Sequence, residues 1–509
     1  MGAKNAYMKL LKRLPGIKEP VKKLTFTERL KWTGIILLIY YLMSQVAVYG
    51  IDQAALQHIQ YLEILLGSSF GSLVTLGIGP IVTASIILQL LVGSKIIPWD
   101  LSSEEGRSMF QGTQKLMAII FSFLEAYIYV AFRAIPAQNP ELMAFVVLQL
   151  ATGGILVLFM DEVVSKYGFG SGIGLFIVAG VAKSLFVRVF NPLTQTGTLP
   201  SAGNPPAGLI PFIGISLGEG EFLQAFLASL PIIATIIVFF LVVYIQAIRI
   251  EIPLAFSSIR GFGRRWPLKF LYTSNIPVIL TAALLANIQI MARALKNPFF
   301  GTFDASGNPT GGIIKYLIPP NNQAIVGLAI SIGLFALIGA IIFYFIKKMN
   351  IKIVVFMGIL GGILWFTAVY AMGLTSLMTI SSEDIIRTIT YSIFMIGGSV
   401  LFSVFWVNTS GMDAKSVAEQ IQSIGMQIPG YRRDERIIEG VLNKYIPALA
   451  VLGGAAVGFL AVYADLTNAI GTGTGILLST MIIYQLYEQI TMQHMEDMHP
   501  AVRRFFGEK

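Results

Sequence analysis

Ionisable side chains within long apolar stretches are where this sequence could do chemistry, and there are few of them. Glu125, in FSFLEAYIY, is the clearest, while Asp161, Glu162 and Asp465 stand at the ends of apolar runs where water and headgroups reach. A carboxylate at membrane depth is costly enough to serve either a proton path or a structural hydrogen bond. A proton path needs a charged relay, and Glu125 has none beside it, so a protonated or hydrogen-bonded structural carboxylate is expected. The three histidines, His58, His494 and His499, are not spaced with carboxylates as metal ligands inside an apolar run, and no metal or cofactor is expected. The chain has no cysteine, which removes disulfides, thiolate ligands and a cysteine nucleophile together. GFGSGIG at Gly168–Gly174 has the look of a phosphate-binding loop, but it lacks the Lys-Ser/Thr ending and precedes an apolar run instead of following a strand. It reads as a turn feeding a helix start that packs closely on its neighbours. Without a nucleophile and base, or a nucleotide motif, enzymatic activity is not expected and any driving force comes from outside the chain.

The elements that would position these residues are membrane spans. Of 509 residues, 55% are hydrophobic and 12% charged, where soluble domains carry about 25% charged residues, and the mean hydropathy is +0.74. Each crossing needs about 20 apolar residues in a helix that satisfies its own backbone. Twelve spans are predicted, near 31–49, 71–92, 113–133, 140–160, 171–190, 225–248, 270–292, 324–346, 353–374, 385–407, 445–464 and 471–490. The net charge of +9 collects where topology requires it. The leader 1–30 is basic, loop 249–269 holds Arg249, Arg260, Arg264, Arg265 and Lys269, and loop 408–444 holds Lys415, Arg432, Arg433, Arg436 and Lys444. By the positive-inside rule these loops, both termini and the tail 491–509 are cytoplasmic, with 191–224 and 294–323 outside. No cleavable leader is expected ahead of the first span, and residues 10–30 could lie amphipathically on the membrane surface.

Three segments depart from plain spans. Residues 51–68 are too short and too interrupted by Asp52, His58 and Glu63 to cross, which leaves an interfacial helix or a half-helix folded back into the protein. Gly77, Gly79 and Pro80 predict a break within Ser72–Leu91, beside a polar line of Thr75, Thr83, Ser85 and Gln89. Ser274–Gln289 carries Pro277 with Asn275, Asn287 and Gln289. Two interrupted helices in matching positions of two halves point to inverted repeats with a pathway between them, in a channel or a secondary transporter. A transporter would place polar or charged groups at its centre.

A longer pattern narrows this reading. LKWTG (Leu30–Gly34), TLGIGPIVTASIILQLLVGS (Thr75–Ser94), FQGTQKL (Phe110–Leu116), DEVVSKYGFGSGIGLFI (Asp161–Ile177), RIEIPLAF (Arg249–Phe256), YTSNIPVIL (Tyr272–Leu280), NTSGMDAKSVAEQI (Asn408–Ile421) and GTGTGILL (Gly471–Leu478) stand in order along the chain. Together they resemble the SecY family, the large subunit of the Sec protein-conducting channel, in its archaeal form. The resemblance implies an all-α integral membrane bundle of ten helices in two inverted five-helix halves, 31–190 and 225–490. It implies a plug at 51–68 and a pore ring of Ile78, Val82, Ile173, Ile177, Ile279 and Leu478. It also implies a lateral gate toward lipid with Thr83, Gln89, Asn275 and Asn287 as polar contacts. Arg260, Arg264, Arg265, Arg432 and Arg433 would face a ribosome. The implied partners are a SecE-type gamma subunit and a small beta subunit in a heterotrimer, the ribosome, the signal-recognition-particle pathway, and nascent secretory and membrane proteins. The implied place is the cell membrane.

The apolar runs 324–346 and 353–374 are additional to that pattern. They suit a transmembrane hairpin at the periphery, and Lys347, Lys348 and Lys352 at their joint predict a cytoplasmic turn. A pair lying on the outer surface is the alternative.

Overall fold

The first long helix, α1 (Phe26–Gln45), opens on a capping box. Thr25 accepts the Glu28 amide through its side chain, and the Glu28 carboxylate accepts the Thr25 amide at 2.9 Å, so donors that a helix start leaves bare are satisfied. The computed structural model describes residues 7–497 apart from 12, 52–68, 102, 133–134, 195–197, 202–203, 257–262, 296, 305–308, 347–350, 372, 374–377, 424–425 and 428–434. After α1 come α2 (Gly79–Gly93), α3 (Glu104–Ala131), α4 (Met143–Tyr167), α5 (Gly172–Phe190), α6 (Leu209–Gly218) and α7 (Phe222–Ala247). The hairpin β1 (Arg249–Phe256) and β2 (Gly263–Lys269) precedes α8 (Ile276–Leu295), followed by β3 (Thr302–Phe303), β4 (Pro309–Gly311) and α9 (Ile313–Tyr316). The chain ends with α10 (Gln323–Ile346), α11 (Ile351–Ala371), α12 (Ser382–Thr409), α13 (Ala414–Ser423), β5 (Met426–Gln427), α14 (Glu435–Leu466) and α15 (Gly473–Asp497).

Among the described residues nine helices are long and apolar enough to cross a membrane. The three other predicted spans are helical too, but α1 carries Glu28, Arg29 and Lys31 in its first turns, α2 has only 15 residues, and α15 turns polar after Tyr484. The span expected over 71–92 is helical only from Gly79. Residues 70–78 form turns, with Gly77 at φ 51°, and their amides bond neighbouring chain, as Leu73 does to the Val46 carbonyl at 3.0 Å. Irregular backbone at this depth is stable because protein surrounds it. Pro277 begins α8 and does not interrupt it, since proline fits the first helical turn. The outer interval 191–224 holds the ten-residue helix α6. Among the described residues of the leader, 7–11 are helical ahead of α1; the chain then crosses the ends of α3 and α4, where the Glu162 carboxylate accepts the Ile17 amide at 3.2 Å and pairs with Lys115 and Lys166.

Two five-helix halves repeat each other in their contacts. In the first, a Cβ added at Gly153 of α4 would lie 1.8 Å from the Leu73 carbonyl oxygen, just ahead of α2, and Gly154 packs on Ser122 of α3. In the second, a Cβ added at Gly453 of α14 would lie 2.8 Å from the Phe270 carbonyl oxygen, ahead of α8, and Gly454 packs on Ser403 of α12. Paired glycines thus let helices approach at matching places in α1–α5 and in the set α7, α8, α12, α14 and α15. The halves meet in one large core cluster drawn from both.

Helices α10 and α11 pack on each other as a hairpin. Gly327 lies against the Trp365 indole, and Ser331 donates to the Gly361 carbonyl at 2.6 Å. The pair sits beside α7, where Val326 and Ile330 join Leu230, Ala234 and Ile237 in a separate small cluster, so it is peripheral to the main core. Residues 347–350, most of its basic joint, lie outside the described residues.

Candidate functional site

The first turns of α2, α5, α8 and α15 converge on the core. Ile78 stands at the N-cap of α2 and Val82 one turn later; Ile173 and Ile177 open α5; Ile279 opens α8; Leu478 lies in the second turn of α15. Five of these six side chains are buried, and Ile173 packs against the same cluster. Each half contributes two helices, so the six predicted aliphatics are brought together from residues 400 positions apart in the chain.

Against this aliphatic layer opens a cavity of about 700 Å³. Val82, Ile173 and Ile279 line it beside Ser85, Asn275, Gln485 and Gln489, with Lys23, Arg29 and Gln493. It therefore opens on the face where the start of α1 meets the end of α15: Gln493 donates to the Leu24 carbonyl at 3.3 Å, and the Phe26 and His494 rings lie 5.1 Å apart. The arrangement is a vestibule whose walls carry polar and cationic side chains among apolar ones and end on branched apolar side chains. Such a layer excludes ions by dewetting and forms no hydrogen bond with a chain passing through it.

A seam between the halves runs where α2 and α3 face α8 and α12. Asn287 Nδ2 of α8 donates to Thr83 Oγ1 of α2 at 2.9 Å. Thr83 Oγ1 lies 2.7 Å from Glu125 Oε1 of α3 and 2.9 Å from the Gly79 carbonyl, either of which can take its proton. Glu125 is thus a hydrogen-bonded carboxylate within the seam, and its Oε2 and Asn287 Oδ1 are buried without a hydrogen-bond partner among the described residues. Gly79 makes room for it, since an added Cβ would lie 3.0 Å from Glu125 Oε2. Further along, Gly93 of α2 receives the Phe405 ring of α12.

Of the four predicted polar gate residues, then, Thr83 and Asn287 meet across the seam. Gln89 bonds Ser85 of its own helix at 2.9 Å, and Asn275 is bonded by Gln485 of α15 at 3.3 Å, so neither crosses it. The reach of Glu125 to Thr83 could not be found in sequence, because the two lie 42 residues apart on different helices.

On the face that carries the start of α1 and the end of α15, the two basic loops join in one sheet of order β2-β1-β5. Its apolar side, Ile252 and Leu268, packs on Val417, Ala418 and Ile421 of α13 and Ile438 and Leu442 of α14. Glu488 of α15 pairs with Arg249 at 3.1 Å and with Lys269, which fixes the hairpin to a helix that also bears Leu478. Arg264 and Arg265 lie on β2, in register with Leu254 and Pro253. Arg260, Arg432, Arg433 and the segment 52–68 lie outside the described residues.

An inverted pair of helix bundles closed by an aliphatic layer below a wet vestibule defines a membrane-spanning conduit. The family model SecY matches residues 72–487, and the plug domain of Sec61p matches residues 38–71. Protein translocase subunit SecY of Methanothermobacter thermautotrophicus is 40% identical over 509 residues, covering 99% of each chain. That of Methanocaldococcus jannaschii is 40% identical over 501 residues, covering 98% of each. Among solved structures, a protein-conducting channel superposes with a TM-score of 0.75 at 39% identity, covering 97% of this chain and 98% of the other. Sec61 in the canine ribosome-channel complex of the endoplasmic reticulum gives a TM-score of 0.72 at 39% identity, covering 97% and 98%. The chain belongs to the SecY family: it is a multi-pass membrane protein, a translocase subunit with a plug domain that forms a protein-conducting channel.

Proposed function

We propose that Ile78, Val82, Ile173, Ile177, Ile279 and Leu478 are the pore ring, that residues 51–68 plug it from outside, and that the seam between α2/α3 and α8/α12 is a lateral gate. The convergence of four helices from two inverted halves on one aliphatic layer, beneath a polar vestibule, carries this reading. Unfolded secretory chains pass through the ring, and a sufficiently apolar segment leaves sideways because lipid buries it at about 25 cal/mol per Å². The chain holds no cysteine, so cysteines placed at Thr83 and Asn287 can be bridged by a short bifunctional thiol reagent. Bridging should abolish export in proteoliposomes while leaving the unbridged variant active; export at the unbridged rate would refute the gate.

The face carrying the start of α1 and the end of α15 is the cytoplasmic one, since the basic loops share it. There the sheet β2-β1-β5 and α13 form a platform for the ribosome, with Arg260, Arg264, Arg265, Arg432 and Arg433 toward RNA phosphates. Ribosome-bound relatives of this fold support that docking. Arg432→Glu should weaken ribosome binding about tenfold at low salt, with less effect at high salt, as phosphate contacts do; binding equal to the parent at both would count against it. A SecE-type gamma subunit and a small beta subunit complete a heterotrimer that receives nascent chains from the signal-recognition-particle pathway.

The hairpin α10–α11 spans the membrane with its turn inside. A Met349→Cys variant should react with a membrane-impermeant maleimide only from the cytoplasmic side, and labelling from outside would place the pair on the outer surface.

A further inference from the structure

The starts of α5 and α15 are built alike. Gly172-Ile173-Gly174 and Gly473-Thr474-Gly475 each lead into three large apolar residues ending on a ring position, Ile177 and Leu478. Each start is held by an aspartate from the preceding helix. Asp161 Oδ1 of α4 accepts the Ile173 amide at 3.0 Å and the Ser171 hydroxyl at 3.5 Å. Asp465 Oδ1 of α14 accepts the Thr474 amide at 2.8 Å, and its Oδ2 accepts the Thr474 hydroxyl. In both halves the capped amide belongs to the residue one helical turn before the ring side chain, 173 before 177 and 474 before 478. The glycines fix the approach as well: a Cβ on Gly172 would lie 2.5 Å from Asp161 Cα, and one on Gly473 would lie 1.9 Å from the Ala464 carbonyl carbon.

The halves differ in one respect. Asp465 Oδ2 also accepts the Tyr391 hydroxyl of α12 at 2.5 Å, and α12 is a wall of the seam. A helix start carries up to four unpaired amides and the positive end of the dipole, which in an apolar interior need an anionic or polar partner. An anchor of this kind sets the height and tilt of the ring side chain one turn further on.

We infer that Asp161 and Asp465 are equivalent positioning residues, one in each inverted half, that hold the ring-bearing first turns of α5 and α15, and that Tyr391 couples the second anchor to the gate helix α12. This inference rests on the pore-ring reading. It is tested on the full-length chain in planar bilayers, by resting ion conductance and by the conductance that an added synthetic signal peptide evokes. Ile78→Ser serves as a ring control.

Asp161→Ala and Asp465→Ala should each raise resting conductance roughly fivefold, the effect of losing one helix cap. Tyr391→Phe should leave resting conductance unchanged and lower the peptide-evoked conductance about twofold or more, the size of one lost hydrogen bond. If the alanine variants do not accumulate, Asp161→Asn and Asp465→Asn decide. Each amide oxygen still accepts the helix amide, and the neutral side chain gives an intermediate rise. Parental resting conductance in the aspartate variants, with a leak in Ile78→Ser, overturns the anchors and leaves the ring standing. Parental conductance in Ile78→Ser as well removes the ring reading and the anchors with it. An unchanged evoked response in Tyr391→Phe removes the coupling.

Discussion

Replacing Ile78 and Ile279 together with serine should turn the resting channel into a steady ion leak. Both are buried in the central cluster, one from each half, at the starts of α2 and α8, and Ile279 also lines the vestibule. A closed aliphatic layer keeps ions out because water does not wet it, and each such side chain opposes hydration by about 1.5–3 kcal/mol. Two hydroxymethyl groups shorten the wall and offer hydrogen bonds to water, so resting conductance should rise about 10²-fold or more, from a loss of several kcal/mol of exclusion. Conservative exchange of the same pair for leucine should leave it near the parental value. Planar-bilayer recording measures both. A serine pair as tight as the parent would show that the seal lies elsewhere, with the plug segment as the next candidate.

The second large effect belongs to the seam, and its sign should depend on how many groups are changed. In Thr83→Val the hydroxyl that joins Asn287 to Glu125 is lost, and both partners remain buried without their bond. A buried polar group left in this way costs about 1–3 kcal/mol, so the closed seam weakens and signal sequences of lower hydrophobicity should open it, with an open fraction about tenfold higher. Changing Thr83, Glu125 and Asn287 together to Val, Leu and Leu removes every polar partner at once. Apolar groups of similar shape can then be neutral or stabilising, and the hydrophobicity threshold should return to the parental value or exceed it. Export of a series of precursors graded in signal hydrophobicity reads this directly. If the single and triple variants moved the threshold in the same direction, the seam network would not be what resists opening.

The start of α12 is bonded to the segment that precedes the hairpin α10–α11. Lys315 pairs with Glu383 at 2.6 Å, Asn322 donates to Asp384 at 2.8 Å, and Arg387 donates to the Ile318 and Pro319 carbonyls. The start of α12 is therefore fastened to the chain that leads into the hairpin α10–α11.

Much of the architecture was legible before any coordinates. Twelve apolar runs announce twelve helices because a backbone in hydrocarbon must satisfy itself. Gly77, Gly79 and Pro80 announced the broken element before α2, since only such residues tolerate the turn. Hydropathy could not tell that residues 70–78 are irregular, because those residues are as apolar as a helix would be.

What only the tertiary structure decided is which groups meet. Read alone, Ile78 and Leu478 are two apolar residues among many, and family resemblance supplied their proposed role; the fold brings the starts of four helices of opposite halves into one core cluster. Asn275 and Gln89 had the right chemistry for a gate and yet bond Gln485 of α15 and Ser85 of α2, partners on their own side of the seam. Glu125 joined the seam, and Asp161 and Asp465, expected at wet span ends, became caps on the following helices. The sequence by itself determined a membrane-spanning helical bundle, its approximate spans and its charge asymmetry, since those follow from transfer free energies summed along the chain. The seam bonds and the two helix caps are contacts of 2.7–3.0 Å between residues from 9 to 204 positions apart, and no local periodicity records such distances.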